Sequence, residues 1–79
     1  MHAGDVYQIV DEAIRKCRGQ GNEAVAQELD DAMQLGSSGL EILGAIRGVF
    51  LNKQAVLESV VGKAKFEELI TFVNQVWGI

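Results

Sequence analysis

The sequence predicts an all-α fold: a single compact bundle of four to five short helices, one domain covering residues 1–79. Three observations carry that prediction. Apolar residues recur at separations of three and four through most of the chain. No stretch alternates in the manner of a half-buried strand flanked by hairpin turns. Proline, which breaks helix interiors, is absent from all 79 residues.

The first helix is read from Val6, Ile9, Val10, Ala13, Ile14 and Cys17, whose spacing sets all six on one face. Asp5 is its predicted N-cap. The Gly19-Gln20-Gly21 segment ends it, because glycine readily takes the left-handed conformation that helix termini favour. A second helix is expected to start at Asn22, to carry Val25, Leu29, Ala32 and Met33 on one face, and to stop at Gly36. Its other face is acidic. Ser38-Gly39-Leu40-Glu41 has the spacing of a capping box and opens a third helix reaching about Leu51. The apolar positions there (Leu40, Ile42, Leu43, Ala45, Ile46, Val49, Phe50 and Leu51) cover more than one stripe, which predicts a central helix buried on several sides. Gly44 and Gly48 lie one turn apart on it. Each costs about 1 kcal/mol of helix stability relative to alanine, so the pair predicts the close approach of another helix backbone. Asn52 or Lys53 opens a further stretch with Val56, Leu57, Val60 and Val61, interrupted or bent at Gly62. The last helix carries Phe66, Leu69, Ile70, Val73, Val76 and Trp77, with Gly78 just past its end.

Composition narrows the function classes. A chain this short buries only roughly 60% of the surface its unfolded form exposes, yet it is 48% apolar, and the excess is read as an interface. One cysteine closes no intrachain disulfide, and one histidine with one cysteine builds no tetrahedral zinc site. Asp5, Asp11 and Glu12 interrupt any signal peptide, and the most apolar segment, Leu40 to Leu51, contains Glu41 and Arg47 and is too short for a bilayer. The expectation is a soluble, cytoplasmic protein without membrane contact.

Enzymatic chemistry lacks parts. His2 sits at the terminus and Cys17 falls within an apolar series, so no nucleophile with a base is evident. Glu28, Asp30 and Asp31 lack the alternating ligands and central glycine of a calcium loop, and Gly36 to Gly39 (GSSG) lacks the Walker lysine. No catalytic residue, metal or cofactor is expected. Helices two and three can be drawn as a helix-turn-helix, but Asn22 to Gly36 contains four acids and no base, and helix three supplies only Arg47, so no nucleic-acid partner is expected. Arg15, Lys16 and Arg18 suit the C-terminal end of a helix dipole. Met1 to Gly36 has seven acids and three bases (3 - 7 = -4), while Ser37 to Ile79 has four of each (4 - 4 = 0). The whole formal charge of -4 therefore lies in the first half, either as a solvated face or as a patch that docks a basic partner.

Leu35-Gly36-Ser37-Ser38-Gly39-Leu40 resembles the Leu-Gly-x-Asp-Ser-Leu signature of acyl carrier proteins. Aligning the leucines sets Gly39 at the phosphopantetheine-bearing serine, so this resemblance implies carrier function only with attachment shifted to Ser38. The segment Gly36 to Arg47, GSSGLEILGAIR, more closely resembles a Gly-Ser-Thr-Gly-x-Glu-Ile-Leu-x-x-Leu-Arg pattern of small helical bacterial proteins, among them immunity proteins of contact-dependent growth inhibition and related toxin systems. Gly36, Ser37, Gly39, Glu41, Ile42, Leu43 and Arg47 fit it, and Ser38 and Ile46 replace similar residues. The resemblance implies inhibition of a toxin, often a basic nuclease, by covering its active site. The partner-binding candidates are Glu23, Glu28, Asp30 and Asp31, set where nucleic-acid phosphates would lie, and Trp77 as an aromatic hot spot. Trp77 also reads as a partly buried anchor of the last helix. The alternative is a helical homodimer joined through helix three or the Phe66 to Trp77 face, with the acids serving solubility.

Overall fold

The structure, a computed structural model, describes residues 1–35 and 38–78. Five helices follow one another: α1 (Ala3–Gly19), α2 (Glu23–Leu35), α3 (Gly39–Asn52), α4 (Gln54–Val61) and α5 (Lys63–Trp77). There is no strand among the described residues. The chain is an all-α bundle, as the periodicity predicts.

All six apolar positions read for α1 are buried. Its start differs from the expectation. The N-cap is His2, not Asp5, and Asp5 sits one turn into the helix, where its carboxylate accepts a hydrogen bond from the His2 backbone N–H at 2.8 Å. An acid in that place satisfies an orphan donor and complements the positive end of the helix dipole, so it serves the helix start from a different position. At the other end Gly21 takes φ +80°, and two bonds close the turn: Asn22 N–H to the Cys17 carbonyl at 2.7 Å and Gly21 N–H to the Arg18 carbonyl at 3.2 Å. This is a Schellman stop, with the left-handed residue where only glycine is unstrained. Asn22 then begins α2 at once, its carbonyl accepting from Ala26 N–H.

Along α2 the residues Val25, Ala26, Leu29 and Ala32 are buried. The helix is described to Leu35, and the expected stop at Gly36 lies outside the described residues. Ser38 caps α3, its Oγ accepting from Glu41 N–H at 3.3 Å, which is the serine half of the predicted capping box. Leu43, Ile46 and Phe50 form the buried stripe of α3, with Ile42, Ala45 and Val49 half-buried beside it. This helix packs against α2, α4 and α5, so it is central. Its two ends, Leu40 and Leu51, reach solvent.

Single residues connect the rest. Lys53 joins α3 to α4, donating to the Val49 carbonyl and accepting from Leu57 N–H, and Gly62 at φ +91° joins α4 to α5. Phe66, Leu69 and Val73 of α5 are buried, whereas Val76 and Trp77, which share their spacing, stand at the surface because the helix runs past the core before ending at left-handed Gly78. The Phe50 and Phe66 rings meet at the centre, their centroids 5.6 Å apart. A radius of gyration of 11.4 Å matches the roughly 11.6 Å of a compact chain of this length.

Phe50 is the largest fully buried side chain. Replacing it with alanine is expected to cost about 3–5 kcal/mol, a large part of the total stability of a domain this size. The F50A midpoint in thermal unfolding followed by circular dichroism should fall by at least about 12 °C.

Candidate functional site

The surface feature that stands out is built where three helix segments converge. Leu35 ends α2 with 75% of its surface exposed, and Trp77 ends α5 with 44% exposed. Together with Gly44 and Ala45 of α3 they line a shallow, largely apolar groove of about 510 Å³, with Glu41 and Arg47 on its rim. A large aromatic and a long aliphatic left facing water, side by side, are the kind of anchor that dominates protein interfaces.

Gly44 explains how Trp77 is held. A Cβ at Gly44 would lie 2.9 Å from Trp77 Cζ2, 3.2 Å from Cε2 and 3.3 Å from Nε1, so the indole lies flat against the bare helix. Nothing lies within 4 Å of the corresponding point at Gly48. The predicted close approach is therefore real at one glycine only, and a side chain rather than a helix backbone makes it. Arg47, one turn from Gly44, donates from Nε to Asn74 Oδ1 at 2.6 Å, which ties α3 to α5 beside the indole. Trp77 thus anchors the last helix and still shows nearly half its surface.

The four acids proposed as partner contacts all lie on α2, but not in equivalent settings. Glu23 is engaged by Arg18 at 3.1 Å across the α1–α2 turn, and Glu28 lies 3.8 Å from Lys53 Nζ at the α3–α4 connector. These are surface pairs, worth about 0–1 kcal/mol each, yet they dilute the charge shown to a partner. Asp30 and Asp31 accept from neutral amides, Gln34 at 3.3 Å and Gln27 at 2.9 Å, and neither is in an ion pair among the described residues. Asp31 stands one helical turn before Leu35 on α2 but does not line the groove, its carboxylate accepting instead from Gln27, one turn the other way. The acid that does line the groove is Glu41, and its most exposed apolar residue is Leu35, which sequence reasoning placed in no site.

Other candidates take structural roles. Cys17 is buried without exposed surface, and burial pushes its thiol pKa up, which disfavours the reactive thiolate. Ser38, the shifted acyl-carrier position, caps α3 with its hydroxyl. Among the described residues no group of three or more His, Cys, Asp and Glu side chains is placed to hold a metal ion, and no helix is long and apolar enough to cross a membrane. Searches of protein-family models, curated proteins and solved structures find no significant match to this chain.

The two glycines of α3 make a paired test. Gly48→Ala adds a methyl group in open space and should raise stability by about 0.5–1 kcal/mol. Gly44→Ala must displace the indole, and because Trp77 is the single tryptophan, its emission should move to longer wavelength while helicity is kept. Unchanged emission in G44A would refute the contact.

Proposed function

We propose that this chain is a non-enzymatic protein-binding module that grips a basic protein partner through the Leu35–Trp77 groove and the carboxylates of Glu41, Asp30 and Asp31. In its most concrete form it is an immunity protein that neutralises a nuclease-type bacterial toxin by covering the basic surface where nucleic-acid phosphates would bind. The observation that carries this reading is the groove itself: of the large apolar side chains left in water, Leu35 and Trp77 come together to line one concave surface. Glu41 on the groove, with Asp30 and Asp31 on the neighbouring α2, supplies complementary charge that steers a basic partner and sets specificity. The likeness of the Gly36 to Arg47 segment to immunity proteins points the same way.

A second reading is favoured by one detail of the rim. Glu41 and Arg47 carry opposite charge on one helix beside the same apolar groove, so two copies related by a twofold axis could pair each glutamate with the other copy's arginine. Sedimentation over a range of concentrations separates the two: a monomer throughout removes the homodimer and leaves the heterologous binder.

Co-expression with the product of the adjacent gene, scored by rescue of growth, tests the immunity reading directly. In the purified pair, Trp77→Ala and Leu35→Ala should each weaken binding by about thirtyfold if they are hot spots. Asp30→Lys with Asp31→Lys should weaken it at least about tenfold with helicity intact. Full affinity in all three variants would count against this surface.

A further inference from the structure

A second concave surface, sharing no residue with the first, lies between α1 and α5. These two helices are not among the closely packed pairs, and an open trough of about 880 Å³ separates their outer edges. It is lined by Met1 ahead of α1, from α1 at positions 5, 8, 9 and 12, and from α5 at positions 64, 65, 67, 68, 71, 72 and 75. Both sets repeat at helical spacing, so the α1 wall is a helix face about 10 Å long and the α5 wall one about 16 Å long at 1.5 Å per residue. A trough between two helix faces is shaped to receive a third helix.

Its chemistry specifies which kind. Asp5, Glu12, Glu67 and Glu68 line it against a single base, Lys65. Lys65 sits 3.9 Å from Glu12, which is also paired with Lys16 at 2.8 Å. Those cations hold the Glu12 carboxyl below its ordinary pKa, the Lys16 hydrogen bond and charge first and Lys65 next. Met1 and the half-buried Phe72 line it beside the carboxylates and give it an apolar strip, while Ile9, which also lines it, belongs to the buried core. We infer that this trough is a second docking site, for one basic amphipathic helix of a protein partner, with the helix's apolar stripe on Met1 and Phe72 and its lysines or arginines against the four carboxylates. A second copy docked through the same face would set carboxylates against carboxylates, and nucleic acid would meet the same repulsion. This site is independent of the Leu35–Trp77 surface.

The probe is a fluorescein-labelled synthetic peptide of about four helical turns, with leucine and lysine at amphipathic spacing, followed by anisotropy at low salt. It should bind the full chain. Glu67→Lys with Glu68→Lys should raise its Kd at least about tenfold, as should Thr71→Arg in the same trough. Asp30→Lys with Asp31→Lys changes the net charge equally but on α2, and should shift Kd by less than about threefold. A lysine-only peptide of equal charge should bind at least about tenfold more weakly, because it leaves the apolar strip uncovered. All exchanged trough residues are exposed, and circular dichroism verifies each variant's fold. No binding to the unmodified chain, equal losses from the α2 and trough variants, or equal binding of the lysine-only peptide would each overturn the proposal. None of these results touches the Leu35–Trp77 surface, which the α2 variant tests against its own partner.

Discussion

Phe50 lies near the end of α3 and Phe66 in the opening turn of α5, with the whole of α4 between them, and their rings meet 5.6 Å apart. That contact constrains everything around it. Helices joined by one residue each, Lys53 and Gly62, have few ways to turn back on themselves, and packing two large tilted aromatics against each other selects a path that also brings Leu57, Ile46 and Leu69 into the same buried cluster. With α3 fixed against α5, α2 covers a further side of α3, and α1 closes the bundle against α2 and α4. No disulfide takes part, since the lone Cys17 is free. Apolar burial has to hold the fold, which makes the few apolar side chains left outside it informative.

Two of the exposed ones, Leu35 and Trp77, follow from helix length. The buried stripe of α5 ends at Val73, but the helix continues for another turn and carries Trp77 past the core edge onto Gly44. Likewise α2 runs on to Leu35 after its last buried residue, Ala32. Both overhangs end at one groove. A helix that stopped at the core boundary would leave no such surface, so the overhang turns a packing element into a contact element.

What could be read from the sequence depended on the range of the interaction. The α1 stripe was fully legible because helix periodicity alone decides which residues turn inward, and all six named positions are buried. The sequence predicts Asp5 as the N-cap, whereas it acts from the first turn, since an acid suits both positions for related electrostatic reasons. Gly44 and Gly48 look alike in the sequence and differ in space, because only Gly44 lies under a ring carried by the far end of another helix, that of Trp77. Val76 and Trp77 continue the apolar spacing, and periodicity has no means of showing where the core ends. Charge gave the largest surprise. Counting along the chain sets the whole imbalance before Ser37, yet the trough takes Asp5 and Glu12 from the first half and Glu67 and Glu68 from the neutral second half. Balance in the linear count comes from Lys53, Lys63, Lys65 and Arg47, and only Lys65 of these lines the trough.

The one-residue connectors also bear on how quickly the native state is reached. Most helix contacts join neighbours in sequence, α1 to α2, α2 to α3, α3 to α4 and α4 to α5, so few large loops must close before burial begins. Helical chains with such local wiring fold in microseconds to milliseconds. A nascent chain of this kind spends little time with its apolar stripes uncovered, and the apolar surface available to other proteins is soon limited to what the finished fold leaves outside.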